Sequence, residues 1–168
     1  MNTPPPTSHR RIRLLSAAVS FLLVSSAVPV LAQESSASSE AIILQTVELT
    51  GTEQRTIAGE NVLNDVIARD NAQLILARDA DTGADTLVDG NALALDDARI
   101  FVFHSRVAGN VSASDDSVIL IEQSFVDGNV EVNGNGIVAI DAQTVVSGDI
   151  LGVFLGTDVD GYSIYVGL

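Results

Sequence analysis

Five short stretches of this chain obey one pattern, opened by Val62, Val88, Val107, Val126 and Val146 at intervals of 26, 19, 19 and 20 residues. Two positions after each valine stands Asn64, Gly90, Gly109, Gly128 or Gly148; next comes Asp65, Asn91, Asn110, Asn129 or Asp149, and then Val66, Ala92, Val111, Val130 or Ile150. A repeat of this length without helical periodicity marks a β-solenoid, in which each coil returns the chain to the same face of a stack.

Alignment of the repeats exposes their apolar columns. Ala68, Ala94, Ala113 and Val132 share one, with Gly152 in the last coil; Leu74, Ile100, Ile119 and Val138 share the next, and Leu76, Val102, Ile121 and Ile140 follow two positions later. Ile164 and Val166 are expected to rejoin these last two columns after an insertion. Spacings of six, six and seven divide each coil into three short faces. The predicted fold is therefore all-β: a single-stranded right-handed parallel β-helix of triangular cross-section, with about 19 residues per coil. The alternative is a left-handed hexapeptide β-helix, which also places apolar residues every six positions but holds to about 18 residues per coil. Val, Ile, Leu and Ala suit the inner positions because coils lie only about 4.8 Å apart and branched side chains pack well in that register. The Gly/Asn column is expected to turn a corner in the left-handed backbone region, which glycine and, less often, asparagine tolerate.

The segment Val107–Ile150 resembles the core repeats of bactofilins. The likeness rests on the V-x-G-N/D-V corner, as in Val107–Val111 and Val126–Val130, and on the aliphatic strands Val118–Ile121 and Ile137–Ile140. The resemblance implies a right-handed triangular β-helix that polymerises end to end without nucleotide. Bactofilins are usually cytosolic and carry no cleaved signal, and here this chain differs.

Arg10, Arg11 and Arg13 precede an apolar run from Leu14 to Leu31, with Val30 and Ala32 as the small residues of a cleavage site. Residues 1–32 thus read as a secretory signal peptide. Residues 33–40 form a serine-rich lead, and 41–168 form one solenoid domain, with the strand-like Ala41–Leu49 as a degenerate first coil or cap. Once the signal is cleaved, no transmembrane segment is expected. The remainder keeps five of the eight basic residues and all 22 acids, a formal charge of −17. Such a charge excludes nucleic acid as a partner and leaves divalent cations as possible guests. The chain has no cysteine, so packing must supply its stability.

Two features are candidate metal sites. Asp96 and Asp115 align with Asp70 in one column, and the insertion Asp79–Asp85 places Asp79, Asp81 and Asp85 around a glycine. Several carboxylate oxygens in such an array are what Ca²⁺ takes as ligands. Against this, stacked carboxylates can also be a solvated corner, and the insertion lacks the EF-hand glycine position and distal glutamate. Catalysis has few candidates. His104 is the only histidine after the signal, and without cysteine or lysine no nucleophile and base pair assembles, so no enzyme is expected and no cofactor apart from calcium.

Phe101, Phe103 and Leu120 alternate with inward residues and are expected to form an exposed apolar strip, usually a contact surface. Tyr162 and Tyr165 lie in a final strand that is expected to leave the last coil open to another subunit. These residues predict an exported bacterial structural protein, secreted, periplasmic or on the cell surface, that self-assembles by solenoid stacking. The alternative is a periplasmic or surface binding module for divalent cations or cell-envelope polysaccharide.

Overall fold

A computed structural model of the protein describes residues 41–167. The signal segment and the serine-rich lead lie outside the described residues. Among those described there is no helix, and the strands follow one another as six coils. Coil one holds β1 (Ile42–Ile43), β2 (Val47–Leu49) and β3 (Gln54–Ala58); coil two holds β4 (Asn61–Val62), β5 (Val66–Ala68) and β6 (Gln73–Ala77). Coil three holds β7 (Thr86–Val88), β8 (Ala92–Ala94) and β9 (Arg99–Phe103), and coil four β10 (Ser105–Val107), β11 (Val111–Ala113) and β12 (Val118–Glu122). Coil five holds β13 (Phe125–Val126), β14 (Val130–Val132) and β15 (Ile137–Ile140). Coil six begins with β16 (Val145–Val146) and β17 (Ile150–Leu151) and then departs from the pattern with β18 (Val153–Thr157) and β19 (Ser163–Val166).

Equivalent strands pair into three sheets: A (β1, β4, β7, β10, β13, β16), B (β2, β5, β8, β11, β14, β17) and C (β3, β6, β9, β12, β15, β19, β18). This is a parallel β-solenoid with three faces. Pairing is in register down each column, with Val88, Val107 and Val126 opposite one another in sheet A and Ile100, Ile119 and Val138 in sheet C. The inward side chains form one aliphatic core; Leu74, Ile100, Ile119, Ile121, Val107 and Val111 are wholly buried. Each such side chain contributes roughly 1.5–3 kcal/mol by burial, which explains how the fold holds without disulfides. The Ala41–Leu49 stretch supplies the first two strands of a complete coil, not a cap.

The corners correct the sequence-based expectation. Gly90, Gly109, Gly128 and Gly148 are not left-handed. They are glycine because the coil before leaves no room: a Cβ on Gly109 would lie 2.5 Å from the Gly90 carbonyl oxygen. The asparagines beside them have a different task. Asn91 Oδ1 accepts the Asn110 N–H at 2.8 Å, Asn110 Oδ1 accepts the Asn129 N–H at 2.8 Å, and Asn129 Oδ1 accepts the Asp149 N–H at 2.9 Å. Asp65 starts this ladder by accepting the Asn91 N–H at 2.7 Å.

The left-handed corner is the aspartate column. Asp70, Asp96 and Asp115 have φ of 56°, 59° and 58°, and Gly51 and Gly134 continue the column at 63° and 59°. Aspartate is among the few side chains that tolerate this region, because its short polar group bonds locally. A third corner carries buried hydroxyls. Ser105 and Ser124 donate to the Phe103 and Glu122 carbonyls at 2.8 Å, and the Ser105 N–H donates to Ser124 Oγ at 3.1 Å. Thr86 and Thr144 occupy the same place in coils three and six.

The last coil breaks the parallel order. β19 runs antiparallel to β15, and β18 runs antiparallel to β19, so the chain finishes sheet C with a hairpin. Its turn lies at Asp158–Tyr162, where Asp158, Asp160 and Gly161 supply turn geometry. The register of β19 on β15 decides which residues face in. Tyr165 and Ser163 pair with the inward Val138 and Ile140, whereas Ile164 and Val166 pair with the outward Ala139 and Ile137. The expected inward placing of Ile164 and Val166 is thereby corrected: the register in which β19 meets β15 sets Tyr165, not Ile164, opposite the inward Val138.

Candidate self-association surface

The outer side of sheet C carries the predicted apolar row, but the row is not open. Phe101 and Leu120 alternate with the core residues Ile100, Val102, Ile119 and Ile121 and so face outward, yet they are only 7% and 8% exposed. Ile75, Phe101, Leu120, Ala139 and Ile164 stand opposite one another on five successive strands. At the coil spacing each shields the next, and Phe103, half-buried, stacks its ring on Phe101 at 5.9 Å between centroids.

The exposed apolar surface lies instead at the end of the stack. β18 is the edge strand of sheet C, without charge or proline, and Phe154 and Leu155 are 54% and 61% exposed. Val145 and Leu151, on the last strands of sheets A and B, are also exposed. An edge strand presents a row of unpaired N–H and C=O groups, and natural proteins usually blunt such edges with charge, proline or a covering segment. Sequence reasoning placed this surface on the final strand and missed Phe154 and Leu155. The signal was there to read: from Ile150 to Gly156 no residue is charged or prone to cap an edge.

Tyr162 and Tyr165 fasten the hairpin. Tyr162 Oη donates to Glu122 Oε2 at 3.1 Å, and Tyr165 packs against the core and meets the Phe154 ring at 5.4 Å. Partial burial, followed by the carboxylate of Glu122, pushes the Tyr162 hydroxyl up from 10.0 to about 12. The final strand expected to be open is thus not an edge: β19 lies between β15 and β18, and β18 presents the free edge instead.

At the opposite end, coil one exposes Ile42 and Leu44 together with Glu48, Glu53 and Arg55. Arg55 pairs with Leu74 and so stands at the head of an inner column, where a charge discourages burial.

Two of the carboxylates proposed for metal, Asp79 and Asp85, are engaged within the fold. Asp79 Oδ1 accepts the Asp81 N–H at 2.7 Å and the Thr82 N–H at 3.0 Å. The Thr82 bond first, then that of Asp81, holds the Asp79 carboxyl below its ordinary range. Asp85 pairs with Arg78 at 2.6 Å, which holds the guanidinium above its usual value. Asp96 and Asp115 sit on different coils of the left-handed corner, and the Asp70 carboxylate there accepts the Gly51 N–H at 2.9 Å. Among the described residues, no three His, Asp or Glu side chains converge as a metal site. His104 occupies another left-handed position, φ 45°, shared by Gln123 at 49°.

Among the described residues no helix is long and apolar enough to cross a membrane. Comparison with protein-family models, with curated proteins and with solved structures returns no match.

Proposed function

We propose that this protein is an exported structural β-solenoid that self-associates and performs no catalysis. The observation that carries the reading is β18: an uncharged, apolar, solvent-facing edge strand on a chain whose net charge is −14. Surface charge keeps the sides of the stack apart, while the coil-six edge, of which β18 is the longest strand, carries no charge on its strands and offers both backbone pairing and apolar area to another copy. The export signal and the bactofilin-like corners support a scaffold of the cell envelope or its surroundings. Sedimentation velocity and electron microscopy of the processed protein test this. Species that grow with concentration are expected, and Leu155→Asp, a change on an exposed side chain, should shift them toward monomer. A single monomeric species at high concentration overturns the reading.

A further inference from the structure

We infer that the C-terminal hairpin is a stop against head-to-tail stacking of copies, because it fills the place that a following copy would need. The inference rests on the self-association reading and concerns its geometry. Sheets A and B have six strands and sheet C has seven. Coil one is level, since β1, β2 and β3 each begin their sheet. The other end is stepped: β16, β17 and β19 lie one strand beyond coil five, and β18 lies one strand further.

A second copy arriving by its coil one would set its β1 on β16 and its β2 on β17. Its β3 would then have to enter the level that β18 already occupies. Seating β3 on top of β18 lifts the copy by one strand spacing, about 4.8 Å, and holds the strands of sheets A and B about 9.6 Å apart, beyond backbone hydrogen bonding. The asparagine ladder makes the same point. Asp149 ends it, and the residue of coil one in that column is Thr46, next to the Val47–Val66 pair. Thr46 of a following copy could donate its N–H to Asp149 only if the levels matched.

The sequence explains why the step exists. At the 20-residue offset of the last repeat, Ile137–Ile140 correspond to Thr157, Asp158, Val159 and Asp160, whose two aspartates cannot fill a sheet C strand of the core. The apolar residues fall early, at Val153–Leu155, in the place of the corner Asn133–Asn135. The chain therefore runs outward as β18, turns on its aspartates and returns as β19. A contact that cannot use coil one uses the same edge on both copies, and such a contact closes rather than propagates.

Two experiments test the stop. The first is Thr56→Pro in the otherwise unchanged protein. Gln73 N–H bonds the Glu53 carbonyl and Gly59 N–H bonds the Ala77 carbonyl, so by alternation the Thr56 N–H points off the free edge of β3 and its loss leaves the β3–β6 ladder intact. Unchanged size in sedimentation is expected; loss of assembly on this change overturns the stop, because it makes coil one a partner. The second replaces everything after Gly152 with a second copy of Asn133–Asp141, which levels the end. Filaments at least about tenfold heavier than the parent's assemblies are expected, as an open heterologous contact requires, and Thr56→Pro in this background should abolish them. A folded level-ended variant no larger than the parent, or a parent that already forms long filaments, overturns the stop. A parent that is monomeric throughout overturns the self-association reading instead.

Discussion

Coils five and six start from the same pattern and finish differently. Val126, Gly128, Asn129 and Val130 have their counterparts in Val146, Gly148, Asp149 and Ile150, and both sets pair in register with the coil before. Beyond that point coil five places a polar corner before an apolar strand, and coil six reverses the order. The difference teaches that the corner grammar alone does not continue a solenoid. A coil closes only when the next apolar run arrives at the right offset to cover the core; otherwise the strand finds another pairing partner, here itself, in reverse.

The comparison can be broken at several points. The largest effect is expected from truncating the inner column of sheet C. Ile119→Ala empties a wholly buried place between two coils and should cost about 2–5 kcal/mol in urea unfolding. Tyr165→Ala, at the coil-six end of the same column and half-buried, should cost clearly less; equal losses would mean that the hairpin is as integral as the coils. Gly109→Ala should follow at about 1–3 kcal/mol, since its Cβ meets the Gly90 carbonyl of the coil before.

A smaller contrast is expected in the asparagine ladder. Asn110→Ala removes the acceptor of the Asn129 N–H and should cost about 1–3 kcal/mol, whereas Asp149→Ala, with no coil above it, should stay within about 0.5 kcal/mol. The smallest effect concerns pH. Tyr162 keeps its proton more tightly in the folded protein than the ordinary 10.0, up to about 12, so its contribution is complete below pH 10 and is lost as pH rises toward 12. The hairpin should loosen over that window, read as faster amide exchange in β19. Tyr162→Phe should remove the Tyr162 part of that alkaline loosening, and an unchanged profile in this variant would sink the assignment.

Much of the stack is legible in the residues. The valine column, the inner aliphatics and the three-way division of the coil follow from spacing alone, because stacked parallel strands repeat their environment at every coil. The left-handed corner was harder to place, since glycine serves two purposes here. At Gly109 it makes room, and at Gly134 it supplies a positive φ. The aspartate column held the clue, for glycine replaces aspartate there at Gly51 and Gly134, which room alone does not explain. The hydroxyl ladder was equally readable: Thr86, Ser105, Ser124 and Thr144 each stand two residues before a repeat valine. The direction of β19 was not, because an alternating strand reads alike forwards and backwards and only its partner decides which parity faces in. Nor was the shielding of Phe101 and Leu120, which depends on neighbours from five strands at once.

The two side-chain ladders run in opposite senses. At one corner the later coil donates its N–H to an asparagine of the earlier; at the other the earlier coil donates its N–H to a hydroxyl of the later. Coil five therefore offers and receives both kinds of bond, through Asn129 and Ser124, and coils three and four offer and receive the asparagine bond in the same way. Coil five is in this sense an interchangeable part: a copy of it spliced between coils four and five meets the partners it already has. The length of the stack is accordingly free to drift by whole coils, while its end, where the pattern fails, is the part that has to be written individually.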